Sequence, residues 1–264
     1  MALTEAQRST LRRLSGVWRD LDFVLVGASA IKVWRPDYLR ETNDLDVSVA
    51  IDLDAHPAGL DEAPGWRPDP RLPHRWYSPE GIAVDVLPAG PKILEAGRID
   101  WADGCSMNMT GFGHALSRAE LRDVGGIQVA VAPLDVLALL KAIAYLDRPV
   151  ERGRDLEDLA YLLGNYVDGD DPRRWEETPE SLDFHHGPAF LLGRDMSRWL
   201  TDHERTALQD FLNRARDEAD AHATGGRMAR RLPLEFRLGD RTDVQAVLLG
   251  LLESFAMGMI SDVE

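Results

Sequence analysis

Hydrophobic and polar positions give this chain two textures, one with strand-like alternation and one with helical spacing. Residues 5–20 carry Leu11, Leu14 and Val17 at helical intervals with Arg12 and Arg13 on the outer side, which predicts an amphipathic helix. Thr4 is placed to cap it, and Gln7 three residues on supplies half of a capping box. Residues 23–26 form a short β-rich run ending at Gly27, and a helix opens over 29–34, closed by Arg35-Pro36. Residues 44–51 alternate, with Leu45, Val47, Val49 and Ile51 on one face and Asp44, Asp46, Ser48 and Ala50 on the other. Residues 54–73, rich in Pro, Gly and Asp, predict a loop. A weak strand at 75–78 leads through Pro79-Glu80-Gly81 into a strand at 82–87. There Ile82, Val84 and Val86 face one way, and Ala83, Asp85 and Leu87 the other. Residues 88–125 carry many glycines and no long pattern, and Gly125-Gly126 then turns into a strand at 127–131.

From Pro133 onward the spacing is helical. Helices are predicted at 134–146, 156–163, 188–200, 204–221 and 244–259, with loops at 167–179 and 223–227. No internal repeat or low-complexity tract interrupts them. The expectation is an α+β chain: a mixed-sheet domain over residues 1–132 and an all-helical domain over 133–264.

Composition narrows the class. With 264 residues, 44% hydrophobic and 28% charged, the chain can bury a sizeable core. Its net charge of −15 argues against a protein that coats nucleic acid, since such binding depends on Lys and Arg neutralising phosphates. A single cysteine, Cys105, excludes an internal disulfide and a cysteine-rich zinc module, and suits a reducing cytoplasm. The first residues lack the apolar stretch of a signal peptide. The apolar runs at 134–146 and 247–260 are interrupted by Lys141 and Glu253 and fall short of the ~20 residues of a membrane span. The second run suits either core or a dimer face.

The candidate chemistry lies in three places: Gly27-Ala28-Ser29, Asp44-Leu45-Asp46, and Val84-Asp85-Val86. Carboxylates at i and i+2 of a strand point to one side with Cα atoms ~6.7 Å apart, close enough to converge on a divalent ion or a close pair. A third carboxylate on a neighbouring strand would complete an oxygen set suited to Mg²⁺. Two such ions can activate an attacking oxygen and stabilise a leaving pyrophosphate. A glycine turn opening a helix presents N–H groups to phosphate. Alone, Asp-x-Asp at a strand start is more often a solvated edge. An aspartate flanked by valines needs a site or a partner to offset its burial.

The runs VLVGASAIKVW, TNDLDVSV and VDVLP resemble the nucleotidyltransferase-fold superfamily, which includes the DNA polymerase β palm and aminoglycoside adenylyltransferases. The closer resemblance is to the AbiEii/AbiGii and MenT-type bacterial nucleotidyltransferase toxins, over roughly residues 20–165. It implies a nucleotidyltransferase-type mixed sheet with flanking helices, Asp44 and Asp46 as the metal-binding pair, and Asp85 as a third metal ligand or general base. It also implies that Gly27, Ala28, Ser29 and Lys141 hold the triphosphate, and that Asp155 or Asp158 is the last acidic motif. Ala28 departs from the usual Gly or Ser, which leaves Ser29 as the hydroxyl donor, and the gap to Asp44 is somewhat long.

The implied reaction uses two Mg²⁺ ions and moves a nucleoside monophosphate from an NTP to an RNA or protein acceptor. The setting would be a toxin–antitoxin or phage-defence system with an antitoxin partner. A small-molecule acceptor and an inactive nucleotide-binding module are the alternatives. Bland readings stand beside the second-tier residues. Lys141 also suits a snorkelling lysine, and Asp155 and Asp158, opposite the stripe Leu156–Leu159–Leu163, a solvated face pairing with Arg152 or Arg154. Adjacent His185-His186 read as surface, and Gly111-Phe112-Gly113 lacks a dinucleotide-fingerprint context. Lys32, Arg35 and Arg40 could flank a triphosphate, and the cluster Arg227, Arg230 and Arg231 could guide a polyanion.

Overall fold

The computed structural model describes residues 3–56, 59–216, 228 and 244–261. The chain divides into two compact units, Met1–Leu137 and Ala138–Glu264, whereas the sequence expectation set the division before the helix at 134.

The first unit opens with α1 (Glu5–Val17), three residues shorter at its end than the spacing suggests. Its capping box is complete rather than half formed. Gln7 N–H donates to Thr4 Oγ1 at 3.2 Å, and Thr4 N–H donates to Gln7 Oε1 at 2.9 Å. A glutamine amide also carries donors, so Gln7 Nε2 reaches on to the carbonyl of Thr42 at 3.1 Å, just before the carboxylate-bearing strand.

The strands are β1 (Phe23–Val26), β2 (Asp44–Val49), β3 (Arg67–Pro68), β4 (Arg75–Tyr77), β5 (Ala83–Pro88), β6 (Arg98–Asp100), β7 (Ser106–Asn108), β8 (Glu120–Asp123) and β9 (Gln128–Val131). Seven of them form one mixed sheet in the order β3-β4-β5-β2-β1-β9-β8, and β6 pairs with β7 separately. β2 runs antiparallel to β1 and parallel to β5; β4 runs antiparallel to β5. The alternation in β2 holds over its first half: Leu45, Val47 and Val49 are fully buried and Asp44 and Asp46 half-buried, but Ser48, on the side of the aspartates, is buried too. Helix α2 (Gly27–Trp34) follows β1 directly, and its Trp34 indole donates to the carbonyl of Ala132 at 2.8 Å.

Residues 88–125, unreadable by pattern, hold α3 (Pro91–Ala96), β6, β7, α4 (Phe112–Ser117) and β8. Elements of three to six residues span too few positions to show a period. The expected loop at 54–73 likewise contains a 3₁₀ turn and β3.

Helix α5 (Leu134–Asp147) crosses the division between the units. The second unit is helical: α6 (Gly153–Asn165), the short α7 (Arg173–Glu176) inside the expected loop, α8 (Gly187–Ser197), α9 (Asp202–Arg216) and α10 (Val244–Ile260). Helices α8 and α10 pack backbone to backbone. A Cβ on Gly193 would overlap the carbonyl of Phe255, and one on Gly258 that of Phe190. Leu248, Leu251, Leu252, Phe255 and Met259 of α10 are buried, so much of the apolar run at 247–260 serves as core. Among the described residues no helix is long and apolar enough to cross a membrane. The basic cluster Arg227, Arg230 and Arg231, the loop at 223–227 and the last residues of the expected helix 204–221 lie outside the described residues.

Candidate functional site

The site grows from the register of four adjacent strands. Asp46 of β2 stands opposite Val26, the last residue of β1, and opposite Asp85 of β5. Asp85 in turn stands opposite Arg75 of β4. A single row therefore crosses the sheet as Arg75, Asp85, Asp46 and Val26, and Asp44 lies two residues along β2 from Asp46 on the same face. The three aspartates expected to work together are thus neighbours.

Gly27 closes the row at the end of β1. Its φ of +71° belongs to the left-handed region that glycine occupies without strain. A Cβ there would overlap Asp46 Oδ2 and lie 2.8 Å from Asp46 Cγ, so the carboxylate of Asp46 rests over a turn that only glycine leaves open. Ser29, the expected phosphate hydroxyl, is fully buried and donates to the carbonyl of Asp44 at 2.8 Å; Ala28 is buried beside it. What α2 presents here is backbone, while the serine ties the helix to the start of β2. Lys32 is buried on α2. Loss of solvent lowers its pKa, with Glu41 raising it and Arg40 lowering it further.

The carboxylates differ in what holds them. Thr42 Oγ1 donates to Asp44 Oδ1 at 2.7 Å, and the Asp44 side chain is 40% exposed. Asp85, only 9% exposed, takes a two-pronged bond from Arg75: Nε to Oδ1 at 2.7 Å and Nη2 to Oδ2 at 2.8 Å. The same Nη2 lies 3.7 Å from Asp44 Oδ2. The hydrogen bonds to Asp85 raise the Arg75 pKa against the opposing effect of burial. The charges of Asp85, Asp44 and Asp46 raise it further.

Arg75 is the residue that sequence reasoning missed. The signal was present in the turn at 79–81: counting outward pairs Tyr77 with Ala83 and Arg75 with Asp85, as the register has it.

The expected Mg²⁺ set of three carboxylates does not fit this arrangement. Among the described residues, no group of three or more His, Cys, Asp or Glu side chains is disposed to hold a metal ion. Both oxygens of Asp85 face a guanidinium instead.

The other expected residues sit in the second unit. Lys141 Nζ of α5 lies 2.7 Å from Asp155 Oδ1 and 2.7 Å from Asp158 Oδ2, both on α6. All three are buried, with Asp158 at 0% exposure, so the solvated face expected for the two aspartates is a core face. Helix α6 is covered on more than its leucine stripe, and the lysine supplies the charge that makes burial of the acids tolerable. Arg152 approaches Asp155 Oδ2 at only 4.0 Å. Of the expected surface histidines, His185 is exposed and His186 half-buried. Both line a cleft of about 600 Å³ with Arg174, whose guanidinium stacks 4.0 Å over the Phe184 ring.

No family model matches the chain, and no curated protein matches it. Among solved structures, it is similar to an antigenic nucleotidyltransferase-like protein from Paracoccidioides brasiliensis, at 12% identity and a TM-score of 0.44, over 88% of this chain and 95% of that one. Likeness at that level is too loose to carry residue roles across, so what this chain does must follow from its own side chains.

Proposed function

We propose that the first unit is a nucleotidyltransferase. The observation that supports this reading is the row itself: Asp46 beside Asp85 on parallel strands, Asp44 on the same face, and the Gly27 turn kept open beneath the Asp46 carboxylate. Central strands with this much negative charge next to a helix-opening glycine turn suit chemistry at a phosphate more than a purely structural role.

In the proposed reaction an acceptor hydroxyl oxygen attacks the α-phosphorus of an NTP. The new O–P bond forms as the bond from the α-phosphorus to the bridging oxygen breaks, and pyrophosphate leaves with that electron pair. The hydroxyl proton passes to a carboxylate. Asp44 suits that task because its side chain is 40% exposed, well above that of Asp85, and Thr42 fixes its orientation. The backbone at Gly27 and the first turn of α2 would face the phosphates. Most of the catalytic effect would come from alignment.

The acceptor we propose is a protein hydroxyl or an RNA end, as in the toxin-like resemblance. The net charge of −15 favours the protein, because an RNA strand would meet repulsion over most of the surface.

The test is transfer of label. The purified chain is given Mg²⁺ and each α-labelled NTP in turn, with lysate protein, total tRNA and an aminoglycoside set as acceptors, beside an Asp44→Ala/Asp46→Ala control. Label reaching protein or tRNA, and absent in the control, is the expected result. Label reaching only the aminoglycosides moves the assignment to a small-molecule transferase. No transfer with any acceptor, or transfer that survives in the control, removes it.

A further inference from the structure

The Arg75–Asp85 pair departs from what the resemblance implies for the third carboxylate. Asp85 lies on β5, between β4 and β2, and is 9% exposed. A carboxylate in that position needs a partner, and its register partner across the antiparallel ladder is an arginine. The fork at 2.7 and 2.8 Å engages both oxygens, the geometry in which a guanidinium binds a carboxylate most strongly and specifically. A divalent ion at ~2.1 Å from either oxygen would have to take a remaining lone pair of a carboxylate already neutralised by the fork, beside the positive charge of the half-buried guanidinium, or else displace it. Asp85 also stands next to Asp46 at the spacing of paired strands, ~4.8 Å between Cα atoms, where two bare carboxylates repel. Arg75 relieves that repulsion, and its Nη2 reaches toward Asp44 as well.

We infer that Asp85 is the counter-ion and positioning residue of Arg75, neither a cation ligand nor the general base, and that the chemistry of the site is left to Asp44 and Asp46. The inference rests on the transferase reading for its activity arm alone. In its terms the carboxylate row has two parts. Asp44 and Asp46 face the reaction, while Asp85 engages Arg75 in its fork and keeps that cation from closing on Asp44.

The distinction is sharp when both partners are changed. In Asp85→Asn the fork is lost and Arg75, still charged, falls toward Asp44 at the reaction face. Stability and label transfer both drop. In Asp85→Asn/Arg75→Gln the stray cation is gone as well, and transfer and thermal stability recover toward the parent. A ligand or a base could not be rescued in this way, because the group doing the work is still missing.

The experiment compares the parent, Asp85→Asn, and the double variant by melting temperature, by label transfer, and by Mn²⁺ binding followed through the electron-spin-resonance signal of the free ion. Recovery of transfer in the double variant supports the inference; a double variant as inactive as Asp85→Asn overturns it. Mn²⁺ bound as well or better by the double variant supports it, as does no binding by either protein, since Asp85 then ligates nothing. Mn²⁺ bound by the parent and weakened about tenfold or more in the double variant overturns it, because that is the signature of a lost ligand. The Mn²⁺ and melting measurements need no turnover. A chain that transfers no label loses the transferase reading while these two still decide the role of Asp85. If Asp85→Asn alone does not fold, the double variant carries both comparisons.

Discussion

The carboxylate of Asp46 occupies the space over Gly27 that any other residue would fill with its Cβ. Two constraints meet at this glycine, the left-handed φ of +71° and the close approach of the acid. Gly27→Ala is expected to lower unfolding free energy by about 2 kcal/mol or more and to abolish transfer. In an Asp46→Ala background the second constraint is gone, so the same substitution should be measurably milder. Urea denaturation of the four proteins of this cycle reads the difference. Strictly additive effects would mean that the two residues do not press on one another.

Lys141 tests the second unit in the same spirit. Its ammonium lies between two buried carboxylates, each 2.7 Å away. Lys141→Ala takes the ammonium from beside both buried acids and is expected to be destabilising by about 3–5 kcal/mol. Asp158→Asn leaves Lys141 its bond to Asp155 and should be clearly milder. Chemical denaturation decides, and equal losses in the two variants would count against the shared clamp.

The crossing of α8 and α10 depends on small residues. Gly258→Ala places a methyl group against the carbonyl of Phe190 and should destabilise by about 1–3 kcal/mol through forced separation of the helices. Gly153, at the start of α6, has nothing within reach of a Cβ, so Gly153→Ala serves as the neutral control in the same thermal-melt series.

Glu80 links α1 to the hairpin that carries Arg75. Burial pushes its carboxyl up. Hydrogen bonds from Arg13, its own backbone and Ser9, with the charge of Arg13, outweigh that and hold it below the usual range. A carboxyl depressed in the folded state contributes stability that is full above its ordinary pKa and is lost as pH falls through the folded value. Glu80→Gln should therefore cost stability at neutral pH and nothing at the acid end, so the two proteins converge as pH falls. Denaturation midpoints across the acid range check this; a constant gap would show that Glu80 acts through packing instead.

Much of the first unit was legible because its strands expose one face. Alternation in β2 placed Leu45 and Val47 inward and Asp44 and Asp46 on the other side, as the burial has it. The helices of the second unit were legible from their apolar spacing. Residues 88–125 were not, since their strands and helices are each shorter than the pattern needed to recognise them. For the site, residue types along one strand could be read, but their partners could not. Asp85 reads as a free carboxylate until β4 is laid beside β5 and brings Arg75 to it. Asp155 and Asp158 read as surface until Lys141 is set between them.

Read alone, the chain yields the α+β class, the inward faces of the long strands and helices, and the presence of Asp44 and Asp46 on one side of a strand. These follow from periodicity, which is local and needs no partner. Which charges are compensated follows from pairing between distant segments. The tertiary structure fixed the parallel register that sets Asp46 beside Asp85 and the antiparallel one that hands Asp85 to Arg75. It also left Gly27 as the floor beneath Asp46. The physical reason is range. Hydrophobic pattern acts between residues two to four apart, whereas the charge state and reach of a carboxylate depend on whatever distant strand is folded against it.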